Sequence, residues 1–210
     1  MPFTLYFHPL SSFCQKALIG LYELDVPFTK RVVDLLDPED RAAFLKVWPL
    51  GKFPVLRDEA RRLTLPETSI ILEHIDRQHR LIPADPDRAR ECRLRDRFHD
   101  LYVNVPLGKI VTDNLRPADR HDPFGVEQAR AQLEAAYGIL DDWMREGPWA
   151  VGDAFTMADC AAAPALFFSQ KVAPFGARKH LAAYYARLEA RPSFARVLEE
   201  AKPYLAMFPG

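Results

Sequence analysis

The chain has 210 residues, 49% of them hydrophobic and 27% charged, and its 28 Lys and Arg against 29 Asp and Glu leave a formal net charge of -1. That length and apolar content can bury a sizeable core in one large domain or two small ones, which excludes a disordered or low-complexity chain. The opposite charges are interleaved, as in RARECRLRDRFHD, so no basic block offers a grip on nucleic acid, and no apolar run approaches the ~18 residues of a membrane span.

Three cysteines at wide spacings, Cys14, Cys92 and Cys160, make no disulfide framework and suit a reducing compartment. With no basic segment leading into an apolar stretch and cleavage site at the N-terminus, the expected location is cytoplasmic. The six histidines never fall at i, i+4 with a companion carboxylate or cysteine, so no metal is expected. The nine glycines form neither a Walker nor a dinucleotide pattern.

From residue 3 to about 80, strand-like and helix-like signals alternate. TLYFH predicts a buried strand, and SFCQKALIGLYEL a helix with Phe13, Ala17, Leu21 and Leu24 on one stripe. After the turn DVPF, FTKRVVDL predicts a second strand, parallel to the first because the crossover is long enough. FPVLRD and RRLTLP are two short strands around the turn DEA, and ETSIILEHIDRQH returns to helix. The order is βαβ, a connection, then ββα.

LIPADPDR, residues 81–88, has the prolines and aspartates of a linker. Beyond it, ARECRLRDRFHDLYVNVPLGKIV is helical with Phe98, Leu101, Tyr102 and Val105 inward, and Pro106 is expected to kink it. A stripe of Leu133, Ala136, Tyr137, Leu140 and Trp143 marks a helix from about 126 to 146, ended by Gly147-Pro148. FTMADCAAAPALFF opens with Thr156 as N-cap and Asp159 three residues on, a capping box with Phe155 as staple. Further helices are expected near 178–190 and 192–202. The division is therefore an α/β domain at 1–80, a linker at 81–88 and an all-α domain at 89–210.

Four segments, in order and spacing, carry a resemblance: FHPLSSFCQKALIGLYEL, WPLGKFPVL, LPETSIILEHID and VGDAFTMADC. Together they resemble a cytosolic glutathione transferase of bacterial type, with a serine-type active site like the zeta, omega or theta classes. The resemblance implies a thioredoxin-like N-terminal domain, an all-helical C-terminal domain, glutathione as co-substrate, a small electrophile as second substrate and a homodimer.

Ser11 stands where serine-type members carry the hydroxyl that stabilises the glutathione thiolate, and where omega-like members carry a cysteine. Read locally, Ser11 or Ser12 caps the helix; a hydroxyl can accept a backbone N–H and still donate its own proton, so the roles are compatible. Ser11 is the catalytic candidate and Ser12 its alternate in the glutathione site. Cys14, in SSFC, is either a reactive thiol of a reductase or a small buried hydrophobe.

In GKFPVL, the resemblance implies a cis Phe53-Pro54 bond, which local sequence does not, leaving the Phe53 N–H and C=O for the peptide-like middle of glutathione. Lys52 is either a solvated lysine or a partner for a substrate carboxylate. Glu67 and Thr68 open a helix, where they either cap it or bind the γ-glutamyl group. Leu10, Phe13, Tyr102, Val105 and Phe208 are either core or the lining of an electrophile cleft; Asp96, His99, Asp100 and Asn104 are expected to face that cleft or the partner subunit. The implied activity is attack of glutathione thiolate on a small electrophile. Its alternatives are a glutathione-dependent isomerase, dehalogenase or thiol reductase, or a non-catalytic partner-binding protein of the same fold.

Overall fold

The structure, a computed structural model, describes residues 2–208. Strands β1 (Phe3–Phe7), β2 (Thr29–Val32), β3 (Val55–Asp58) and β4 (Leu63–Pro66) form one sheet in the order β2-β1-β3-β4. β1 pairs parallel with β2 and antiparallel with β3, with Leu5 opposite Leu56, and β3 pairs antiparallel with β4.

Between β1 and β2 runs α1 (Ser12–Glu23), and α3 (Thr68–Ile75) follows β4. The sequence left residues between β2 and β3 as a connection, but they contain α2 (Pro38–Val47). Its start is nonetheless well signed: Asp37 accepts the N–H groups of Glu39 and Asp40, and Pro38 sits in the first turn. The apolar period is what is missing. Phe44 is its one buried residue, packed with Val33 and Val55 on the outer face of the sheet.

The helical region comprises α4 (Pro86–Phe98), α5 (Val105–Asp113), α6 (Pro123–Trp143), α7 (Met157–Val172), α8 (Lys179–Glu189) and α9 (Pro192–Ala201). α1 packs against α3 on one side and against α7 and α9 on another. Every residue from Cys14 to Leu21 is therefore buried, rather than the single stripe expected. Gly20 permits the close approach to α3: a Cβ there would lie 2.2 Å from Leu72 Cδ2.

The expected linker is anchored, and its last residues are already helical, with α4 starting at Pro86 and Asp85 accepting the Arg88 N–H. The Asp76 carboxylate receives the N–H groups of Arg80, Leu81 and Ile82, and Leu81 and Ile82 enter the core.

The disturbance at Pro106 is a π-helix at His99–Asn104 rather than a simple kink. Proline offers no N–H to the Tyr102 carbonyl and its ring crowds that group, so a widened turn before it relieves both. The widening shifts the helical register. Phe98 is buried as expected, but Leu101, Tyr102 and Val105 are 45%, 57% and 57% exposed. Asp96, His99, Asp100 and Asn104 are buried instead, and Asp96 also lines a cleft with Glu67, Ser69 and Arg93.

The Thr156–Asp159 capping box is formed. The Asp159 carboxylate accepts the Thr156 N–H (2.8 Å) and hydroxyl (2.9 Å), the Ala150 N–H (2.8 Å) and the Tyr184 hydroxyl (2.6 Å), all buried. Burial raises its pKa while these donors oppose the rise. Asp159→Asn turns a donor toward groups that are themselves donors, and should lower stability by about 1–3 kcal/mol in urea unfolding.

Candidate functional site

The loop from β1 to α1 places Ser11 as N-cap. Its backbone is extended (φ -78°, ψ 119°), and its Oγ accepts the Cys14 N–H at 3.3 Å. That bond uses a lone pair and leaves the hydroxyl proton to be donated. The Ser11 N–H donates to the His8 carbonyl (3.1 Å), and the Gln15 side-chain amide donates to the Pro9 carbonyl (2.8 Å), so the loop is tied from beneath.

The Phe53-Pro54 bond is cis. Phe53 lies just before β3, and among the described residues its N–H and C=O take no part in a hydrogen bond. Across from it, Glu67 is the N-cap of α3 with φ +69°, a left-handed conformation that a non-glycine residue rarely adopts. Ile71 is the first residue of that turn to find a backbone acceptor, Glu67 O at 3.0 Å. The N–H groups of Thr68, Ser69 and Ile70 thus form an electropositive tip. The Thr68 hydroxyl is engaged elsewhere, donating to the Phe13 carbonyl at 3.3 Å, which joins the first turns of α1 and α3.

Lys52, Phe53, Pro54, Glu67 and Thr68 line one cleft of about 220 Å³, together with Phe13, Trp48, Leu50 and Pro66. Lys52 and Glu67 are both exposed, and among the described residues neither has an ion pair. Ser11 and Ser12 do not line this cleft; they stand at its edge, immediately before Phe13. Two family models decide what such an arrangement belongs to: "Glutathione S-transferase, N-terminal domain" matches residues 5–84 and "Glutathione S-transferase, C-terminal domain" matches residues 123–187.

The chain belongs to the glutathione S-transferase family.

Its fold is accordingly a thioredoxin-like α/β part followed by an all-α part. Glutathione S-transferase GstB of Escherichia coli K12 is 26% identical over 93% of this chain and 97% of its own length. FtsZ-localized protein A of Caulobacter vibrioides is 27% identical over 97% of this chain and 93% of its own. A Methylobacterium radiotolerans glutathione S-transferase, solved in complex with glutathione sulfonate, superimposes with a TM-score of 0.81 at 26% identity, covering 93% of each chain.

Set against that glutathione transferase frame, Cys14 is a core thiol. It is fully buried, its Sγ accepts the His8 N–H at 3.4 Å, and burial pushes its pKa up to about 12. Such a thiol supplies no thiolate for mixed-disulfide exchange. The other two cysteines are also free and buried.

Of the residues expected to be core or electrophile-cleft lining, Tyr102 and Val105 are exposed. Phe13 belongs to the cleft above, and Phe208 packs on Phe168 with ring centroids 5.0 Å apart. Trp48 and Leu50 were not anticipated as lining residues. A usable signal existed: they are large apolar side chains in the loop WPLGKFP, which has no helical or strand stripe to absorb them. Among the described residues no group of three or more His, Cys, Asp or Glu could hold a metal ion.

Proposed function

We propose that this chain is a glutathione transferase enzyme: it binds glutathione in the Lys52–Thr68 cleft and activates its thiol at Ser11 for attack on a small electrophile. The observation that carries the reading is the convergence of the uncapped α3 N-terminus and one unpaired backbone segment on a single cleft, with the start of α1 at its edge. The α3 tip suits the γ-glutamyl α-carboxylate and Glu67 the neighbouring ammonium group. The Phe53 N–H and C=O suit the central peptide, and Lys52 the terminal carboxylate. The cysteine sulfur then falls toward the start of α1.

A free thiol has a pKa of about 8.5. Holding it as thiolate near neutrality takes a shift of ~2 units, or about 2.7 kcal/mol. A hydrogen bond to a charged group supplies about 1.5–3 kcal/mol and a helix N-terminus about 0.3–1, so the Ser11 hydroxyl and the α1 tip together suffice. The thiol proton leaves to water, the sulfur forms a bond to the electrophilic carbon, and the leaving group departs with its electron pair. The structure gives no support to the thiol reductase alternative at Cys14; isomerase and dehalogenase chemistry would use the same thiolate.

Two further parts of the proposal are a homodimer and a cytoplasmic location. Exposed Ile70 on α3 and Leu94 on α4 suit a partner subunit, which sedimentation equilibrium tests. Among the described residues no helix is long and apolar enough to cross a membrane.

A second reading, a partner-binding protein of the same fold, is favoured by the likeness to FtsZ-localized protein A over nearly the whole chain. Retention on immobilised glutathione separates the two. The unmodified chain should be retained and eluted by free glutathione, and Glu67→Ala should weaken retention several-fold. Indifference of the unmodified chain would favour the partner-binding reading. Turnover of an aryl halide, compared with a hydroxyethyl mixed disulfide, then sorts conjugation from reduction.

A further inference from the structure

His8 touches every part of the thiol-activating loop. Its N–H donates to Cys14 Sγ (3.4 Å), and its carbonyl accepts the Ser11 N–H (3.1 Å). Its ring nitrogen Nδ1 accepts the Leu10 N–H at 3.3 Å. The ring lies nearly parallel to Phe53, with centroids 5.9 Å apart and 20° between planes, and meets Tyr204 edge-on at 5.6 Å. One imidazole thus joins the end of β1, the loop before the cis-proline and the C-terminal segment Lys202–Met207. Because Nδ1 accepts, the ring proton resides on Nε2 and the imidazole is neutral.

We propose that His8 is a positioning residue for the Ser11 hydroxyl, and that protonation of its Nδ1 releases the loop and weakens the site at acid pH. This rests on the function proposed above. The Nδ1 contact closes a turn of the kind an Asn side chain makes with the N–H two residues on. A protonated Nδ1 would face the Leu10 N–H as a second donor, and the contact would be lost.

The groups around the ring agree with a neutral resting state. From α1 comes the Cys14 thiol, from the C-terminal segment Tyr204, and from the cis-proline loop the uncharged Phe53, with Lys52 next in the chain. Asp34, beyond β2, favours the cation, but burial outweighs it and lowers the His8 pKa from its ordinary value. The neutral form therefore persists in the folded chain below the ordinary histidine range; the stability that goes with it is full above that range and is lost as pH falls through the lowered pKa.

The test uses two variants of the full chain. His8→Asn keeps an acceptor for Leu10 N–H, and His8→Phe keeps a ring against Phe53 but no acceptor. S-methylglutathione has no thiol to ionise, so the pH dependence of its affinity reports the site and not the sulfur. As pH falls from 7 through the midpoint of the His8 ring, read by NMR, the unmodified chain should lose at least threefold in affinity, while His8→Asn stays flat. At pH 8, His8→Phe should lose at least tenfold in kcat/KM with an aryl halide, and His8→Asn should recover most of that loss. By NMR, the Leu10 amide of the unmodified chain should shift with the same midpoint as the His8 ring.

His8→Phe behaving as the unmodified chain, His8→Asn failing as badly as His8→Phe, or a Leu10 amide indifferent to the ring's titration would each overturn the inference. If the unmodified chain neither binds S-methylglutathione nor conjugates, the proposed function fails, and the amide signal still decides whether the clamp exists.

Discussion

Lys16→Met is expected to destabilise the fold by about 3–5 kcal/mol at pH 7, measured as a lower urea midpoint with an unchanged slope. Lys16 is 1% exposed, on α1. Its Nζ lies 2.7 Å from Asp96 Oδ1 and 2.8 Å from Asp100 Oδ2, and donates to Ser69 Oγ at 3.0 Å. Ser69 in turn donates to Asp96 Oδ2 at 2.6 Å, and Arg97 reaches Asp100 at 3.1 Å from the surface. One buried cation therefore links α1, α3 and α4 and neutralises two buried carboxylates.

Removing it leaves those carboxylates facing each other in a medium that solvates neither, which is the costly case. Asp100 is already pushed up by its burial, with Lys16 opposing the rise and Asp96 adding to it. Without Lys16 the burial of Asp100 goes unopposed from that side and its carboxyl is pushed up further, so the variant's deficit should shrink as pH is lowered from 7 to 5. Adding Asp96→Asn and Asp100→Asn should recover most of the loss, because no charge is then stranded. A deficit below about 1 kcal/mol at pH 7 would show that Lys16 is not what keeps these groups tolerable inside the fold.

Ser11→Ala should lower turnover with an aryl halide by roughly 10- to 150-fold, the equivalent of the 1.5–3 kcal/mol that a hydrogen bond to a charged group contributes. The same loss should raise the pH midpoint of the reaction by about 1–2 units, since each unit corresponds to about 1.4 kcal/mol. Losing the cap bond to the Cys14 N–H costs only about 1 kcal/mol of stability, so the circular dichroism should be unaltered at 25 °C. Ser12→Ala is the control, and it should leave the midpoint where it is. Equal pH–rate curves for Ser11→Ala and the unmodified chain would remove Ser11 from the chemistry.

The elements that could be predicted from sequence were those whose own periodicity or punctuation specifies them. The stripe of Leu133, Ala136, Tyr137 and Leu140 and the Thr156–Asp159 box both lie where their spacing put them. α2 escaped because only Phe44 is buried, so there is no stripe to detect, although Asp37 and Pro38 did mark its start. The face of the π-helix escaped for a different reason. A register assumed to be 3.6 residues per turn sent Tyr102 and Val105 inward, and one wide turn ahead of Pro106 exchanged them for His99 and Asp100.

Sequence alone determined the order of the four strands and of the helices other than α2, the helix starts at Ser11, Glu67 and Thr156, and the family resemblance, because capping residues, apolar spacing and turn chemistry act within a few residues of each other. Tertiary structure decided which of the polar side chains on α1, α4 and the π-helix are internal, where the hydroxyl proton of Thr68 goes, and that Cys14 is closed to solvent. Those outcomes depend on which surfaces meet across separations of tens of residues, as between Lys16 and Asp100, and no local pattern records such a meeting.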